Sequence, residues 1–270
     1  MRLFVSTLRK LIRRPATWLT FGLLAGFLTL ILVAVASAPE TGQDGPGSGG
    51  QGDPLVLVTF PGAYALILSF VLGLGGLFAV IYGAAVAGSE WSWGTLKALI
   101  ARGESRSRYM LATFAGIAAV LVVGLVVTYV IGVAAAALAA VIAGVSLEGM
   151  SDSTALGELP ELMARGMVGM VTQGSIGFAV ATLARSQLAG VGVGIAVYFG
   201  GTFAGIFLPD VVQYLPFQLS DRALGTPAFG GGPPQPTDVS PDGALLLLAV
   251  WLAGALAVAA GFTERAEITG

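Results

Sequence analysis

No cysteine and no histidine occur in the 270 residues. The first absence excludes a disulfide framework, a thiolate nucleophile and a cysteine metal site. The second removes the commonest metal ligand and the usual general base near neutral pH. Charge is scarce as well: 10% of the residues are Asp, Glu, Lys or Arg, against roughly a quarter in an ordinary soluble domain. Hydrophobic residues make up 56%, more apolar surface than a soluble fold of this length can hide. Neither a catalytic nor a metal-ligating residue is assigned, and the chain is expected not to be an enzyme.

No long polar segment interrupts the apolar blocks, so residues 1–270 are expected to form one membrane domain. Six stretches, 18–38, 60–85, 109–143, 162–183, 188–208 and 244–262, reach the roughly 20 helical residues that a hydrocarbon core requires. The expected fold class is an all-α integral membrane protein with six transmembrane helices. Residues 1–38 carry a basic start and an apolar run, but the run is longer than a signal-peptide core, so it reads as a retained first span. The third stretch, 35 residues over 109–143, is either one long helix or two short spans.

Charge decides between them. With one helix, segments 1–17, 88–108, 184–187 and 263–270 share a side and hold Arg2, Arg9, Lys10, Arg13, Arg14, Lys97, Arg102, Arg106, Arg108, Arg185 and Arg265, which is 11 of the 13 basic residues. The other side keeps Arg222, with Arg165 at a span edge, and gathers Glu40, Asp44, Asp53, Glu148, Asp152, Glu158, Glu161, Asp210, Asp221, Asp238 and Asp242. Two short spans would reverse every later segment and scramble this pattern. The positive-inside rule then places both termini in the cytoplasm.

Three segments outside the spans have distinct characters. Near the N-terminus Leu3, Phe4, Leu8, Leu11 and Ile12 can share one helical face beside a cationic flank, before Pro15 turns the chain into the first span. Such a helix suits an anionic leaflet, or its charges merely fix topology. Residues 41–53 are Gly-rich and lack apolar anchors, as in a linker. Residues 209–224 mix Val212, Tyr214, Leu215 and Phe217 with polar neighbours, which predicts a short interfacial or re-entrant helix before the Gly/Pro run at 230–236.

The middles of the six stretches carry no Asp, Glu, Lys or Arg, which counts against a proton-driven antiporter. Thr128 in the third span and Thr172, Gln173, Ser175 and Thr182 in the fourth are among the few interior polar groups. Interhelical hydrogen bonding is their first reading; a substrate path through Thr128, Thr172, Gln173 and Ser175 is the second. The Gly22/Gly26, Gly73/Gly75/Gly76, Gly190/Gly192/Gly194 and Gly201/Gly205 groups predict close helix packing. No G-x-x-x-x-G-K-[ST] sequence is present: Gly94-Thr95-Leu96-Lys97 lacks the Gly before Lys and the hydroxyl residue after it. ATP hydrolysis, if it drives this protein, belongs to another chain.

Segment 88–108 is too polar to span and too apolar for a solvated linker, with Trp91, Trp93, Leu96, Leu99 and Ile100 beside Lys97, Arg102, Arg106 and Arg108. It predicts a short helix in the interface plane, resting on lipid or docking a soluble partner. Its run Glu90-x-x-x-Gly94-Thr95-Leu96-Lys97-x-Leu99-Ile100, followed by Ser105-Arg106, resembles the signature between the second and third spans of ABC type-2 permeases. Gly103 stands where that family usually has Pro, and Thr113 near where many members place Lys. The resemblance spans the whole chain in layout and about 20 residues in motif.

The resemblance implies the permease half of an ATP-driven exporter in a bacterial or archaeal plasma membrane. Its expected partners are a second permease copy or paralogue, two ABC ATPase subunits that bind the ATP and Mg, and membrane lipid; no nucleic acid is expected. It further implies that Glu90, Trp91, Gly94, Thr95, Leu96, Arg102 and Arg106 belong to the ATPase-coupling region. Val212, Tyr214, Leu215 and Phe217 would belong to an outer gate. The cargo would be lipidic or drug-like. An ion-coupled secondary transporter and a membrane scaffold without turnover are the alternatives.

Overall fold

A computed structural model of the chain describes residues 2–37, 54–92, 105–225 and 239–265. Among them the structure is all helical. In chain order the helices are α1 (Arg2–Ile12), α2 (Pro15–Ser37), α3 (Gly62–Ser92), α4 (Arg106–Ala143), α5 (Ser153–Ala184), α6 (Gln187–Phe207), α7 (Pro209–Val212), α8 (Pro216–Leu224) and α9 (Pro241–Arg265). Short 3₁₀ turns at Pro54–Val58 and Glu148–Ser151 precede α3 and α5. Five of these helices, α2, α3, α4, α5 and α9, are long and apolar enough to cross a membrane; in α6 the qualifying apolar run is the shorter Gln187–Gly200.

The third apolar stretch is one helix. α4 runs unbroken for 38 residues, about 57 Å at the helical rise, and stops where Gly144 adopts φ 71°, the left-handed conformation that glycine enters without a Cβ penalty. α5 begins nine residues earlier than its apolar stretch, at Ser153 rather than 162. The cause is a local cap: the Asp152 carboxylate accepts from the N–H groups of Thr154 (2.8 Å) and Ala155 (3.3 Å), satisfying donors the helix leaves open. Pro160 falls inside this added polar section, at an exposed position.

α3 is likewise longer than hydropathy implies. It continues through Ser92, so residues 88–92 extend a span and residues 106–108 open α4. An interface-plane helix over all of 88–108 is therefore corrected at both ends; its middle, 93–104, lies outside the described residues, as does the 41–53 linker. The extension carries Ser89 and Glu90 into a buried position, which the partners described below make tolerable.

α3 and α5 form the centre. In each, 61% of the most apolar window is buried within the bundle, against 22% in α2 and 11% in α9, which turn most of their surface outward. The α3–α5 contact is close because both helices lack side chains there: a Cβ on Gly83 would strike the Gly174 carbonyl, and one on Gly177 the Val80 carbonyl. Gly190 and Gly194 pack equally tightly, against Ala181 and Val80, whereas Gly22 and Gly26 face no neighbour and correct the expectation of packing there. α1 folds onto the start of α4, with Thr7 and Leu11 against Gly116. Its inner face thus includes Thr7, while Ile12 is 46% exposed and does not share the face of Leu11.

The bundle has a basic and an acidic end. α1, the end of α3, the start of α4, the α5–α6 turn and the end of α9 meet at the first. The second gathers Glu148, Asp152, Glu161 and Asp242, with Arg165 neutralised by Glu161 (2.7 Å) and Asp242 (2.8 Å). At this end residues 209–224 form two short helices. α8 packs Leu219 and Ala223 against Ala244 and Leu248 of α9.

Candidate functional site

Glu90 lies in the last turn of α3 and is 2% exposed. A carboxylate taken out of water at that position must be paired and hydrogen-bonded. Both of its oxygens are engaged. Lys10 of α1 donates to Oε1 at 2.6 Å, and Arg14 adds a guanidinium nitrogen 3.7 Å from the same oxygen. The Tyr109 hydroxyl, from the first turn of α4, donates to Oε2 at 2.6 Å. One acid therefore ties three elements: α1, α3 and α4.

The surroundings fix this geometry. Arg14 donates to the Ser89 hydroxyl at 3.1 Å. Thr17, at the start of α2, gives its proton to the Leu11 carbonyl (2.7 Å) and so accepts from Tyr82 of α3 (2.9 Å). The elbow between α1 and α2 is thus held from inside by α3, and from outside by Trp18, whose ring N–H donates to the Ile12 carbonyl at 2.8 Å. Lys10 and Arg14 are four residues apart and share one face of the elbow. Arg9 and Arg13, one position earlier, are exposed.

A second knot lies beside the first. Arg185, in the left-handed region at φ 50°, closes α5 and sets its guanidinium 5.2 Å from the Trp91 ring and 5.4 Å from the Phe262 ring. The two rings meet edge to face at 6.5 Å. Cations are attracted to such ring faces, so the α5–α6 turn is clamped between the ends of α3 and α9. Glu264 of α9 accepts from the Ser107 hydroxyl, and its carbonyl from Arg106 at 3.4 Å, which links α9 to α4.

Of the residues assigned to coupling, Glu90, Trp91 and Arg106 are therefore neighbours at the basic end, while Gly94, Thr95, Leu96 and Arg102 lie outside the described residues. Glu90 presents no surface to a partner. The sequence missed Lys10, Arg14, Tyr109, Thr17 and Tyr82. The available signal was a lone acid at the end of an apolar span, among an excess of cations, which needs a partner from elsewhere.

At the acidic end, Val212 is buried, Tyr214 is 44% exposed and its carbonyl accepts from Trp251 of α9 at 3.0 Å. Leu215 caps α8. Phe217 sets its ring edge to face on Tyr198 of α6 at 4.9 Å, and Tyr198 donates to the Gly73 carbonyl at 3.0 Å. The four residues surround the entry into α8 and join it to α3, α6 and α9.

The interior polar residues are mostly spent on packing. Thr172 donates to the Val168 carbonyl (2.8 Å) and approaches that of Leu248 (3.3 Å), and Ser175 donates to Thr172 (2.7 Å). The Ser220 hydroxyl of α8 donates to the Pro216 carbonyl (2.8 Å), so toward Gln173 it can only accept, and the Gln173 amide N–H supplies that bond at 2.9 Å. The Gln173 carbonyl oxygen is left against Gly76 without a donor, and Thr128 is buried with its hydroxyl unpaired.

Residues 57–260 match a family described as a protein of unknown function, DUF2705. No curated protein matches the chain. The matched range includes Glu90 and Tyr109 but begins after α1 and α2, so Lys10 and Arg14 lie outside it.

Proposed function

The chain belongs to the DUF2705 family, and we propose that it is the permease subunit of an ATP-driven ABC exporter that moves a lipidic or drug-like substrate out of the cytoplasm. In this reading α6 is the sixth span, the basic end faces the cytoplasm with both termini, and the acidic end faces outward. The protein works as a pair with a second permease, identical or paralogous, in a bacterial or archaeal plasma membrane. Two ATPase subunits bind the nucleotide and Mg.

The observation that carries the reading is the double knot at the basic end. The Glu-x-x-x-Gly-Thr-Leu-Lys segment leaves α3 directly after Glu90 and Trp91, and these two residues bind α3 to α1, α4, α9 and the α5–α6 turn. A push on residues 93–104 from a closing ATPase dimer is delivered to those helices together, because a buried ion pair and a caged guanidinium resist sliding. At the far end α7 and α8 are short, four and nine residues, and in this reading they move to release cargo.

Co-purification with a candidate ABC ATPase subunit tests the reading. Wild type is expected to bind the ATPase and stimulate its turnover, and the Arg102→Ala/Arg106→Ala/Arg108→Ala variant to lose both. A wild-type chain that neither binds nor stimulates it refutes the exporter assignment.

A further inference from the structure

Four cations around the end of α1, Arg9, Lys10, Arg13 and Arg14, divide between two sides of the chain. Lys10 and Arg14 point inward to Glu90 and Ser89. Arg9 and Arg13 are exposed and meet no carboxylate among the described residues. At 100° per residue they lie on one side of the helix, next to a stripe formed by Val5 (55% exposed) and Ile12 (46%). That apolar stripe runs on into Trp18 and Leu19, which are 67% and 64% exposed at the start of α2, a helix that turns most of its length toward the hydrocarbon. The outer face of α1 is therefore continuous with the lipid-facing surface, and its arginines stand where that surface reaches the headgroups.

From this geometry we propose that α1 is a binding site for anionic phospholipid, with Arg9 and Arg13 holding headgroup phosphates while Val5 and Ile12 enter the acyl region. Arginine suits the role because its planar guanidinium pairs phosphate oxygens two at a time. Trp18 anchors the elbow at the same level, as aromatic side chains do at membrane interfaces. Because Lys10 is on the inward side of α1 and Arg14 lies in the elbow just after its end, lipid bound outside holds α1 against Glu90 inside. Anionic lipid thereby strengthens the tie between α1, α3 and α4. The inference requires only that the chain is a membrane protein and is independent of the exporter reading.

Hydrogen exchange over α1, with the full chain in nanodiscs of phosphatidylcholine or of an equal phosphatidylcholine–phosphatidylglycerol mixture, tests it. Each basic residue near an anionic surface contributes about fivefold, so two arginines give roughly 20-fold slower exchange of α1 in the anionic discs, reduced by salt. Arg9→Gln/Arg13→Gln is expected to abolish the difference between the discs, and Arg9→Lys/Arg13→Lys to retain most of it. Equal protection of wild-type α1 in both discs overturns the proposal, as does a difference that survives the Gln variant. Protection reproduced by inorganic phosphate in phosphatidylcholine discs overturns the assignment to lipid.

Discussion

Replacing Glu90 by Ala takes the acceptor from the Lys10 ammonium and the Tyr109 hydroxyl and removes the negative charge beside the Arg14 guanidinium. Removing one partner of a buried ion pair costs about 3–5 kcal/mol. Lys10 is 34% exposed and Arg14 16%, so the stranded cations partly rehydrate and the lower half of that range, about 3 kcal/mol, is the better expectation. Glu90→Gln keeps an oxygen for Tyr109 and should cost less than Ala. Lys10→Met leaves the buried Glu90 carboxylate with only Tyr109 and the more distant Arg14 and should cost about 3 kcal/mol. Equilibrium unfolding of the purified chain in mixed micelles reads these values. The double variant Glu90→Gln/Lys10→Met then gives a coupling energy of at least about 1 kcal/mol. Faster hydrogen exchange in α1 should accompany the loss, because α1 loses its ionic tie to α3. A Glu90→Ala variant within about 0.5 kcal/mol of wild type with α1 exchange unchanged would refute the tethering role.

Other consequences follow from particular contacts. Gly83→Ala places a Cβ on the Gly174 backbone and is expected to cost several kcal/mol, whereas Gly22→Ala meets open space and should be neutral or slightly stabilising; thermal unfolding of the two side by side checks the α3–α5 contact. Burial raises the Asp221 carboxyl in α8 from 3.8 to about 6, partly opposed by Arg222. The folded state then holds this proton more tightly than the unfolded chain, so α8 docking weakens as pH rises from 3.8 to about 6 and levels off above. Limited proteolysis between α7 and α9 across that window should follow the trend, and Asp221→Asn should flatten it. Arg165→Ala frees Glu161, Asp242 and the Ala223 carbonyl and should speed hydrogen exchange in α8 at every pH, with little change in exchange at the basic end.

Much of this architecture was legible in the linear sequence because it depends on local or additive properties. Hydropathy over about 20 residues marks a span, and basic residues counted segment by segment mark the third stretch as a single helix, as α4 is. Helix ends were less legible. α3 runs past its apolar stretch because Ser89 and Glu90 find Arg14, Lys10 and Tyr109, and α5 starts early because Asp152 caps it; hydropathy registers neither cause. Residues 209–224 form two short helices, α7 and α8, and the break between them is set by Pro216, which starts a new helix after Leu215 turns extended.

The sequence by itself determined that this chain is helical, apolar enough for a bilayer, and divided into a basic and an acidic end. Only the tertiary structure decided which polar groups meet. Glu90 is 80 residues from Lys10 and Gln173 is 47 from Ser220, and no periodicity links such positions. It also decided which glycines are contacts: Gly22 and Gly26 have the spacing of a packing motif and face nothing, whereas Gly83 and Gly177 touch opposing backbone. The physical reason is the same in both cases. Hydrophobicity and helical propensity belong to a segment, but ion pairing and close packing belong to two segments brought together, and their partners exist only once the bundle has formed.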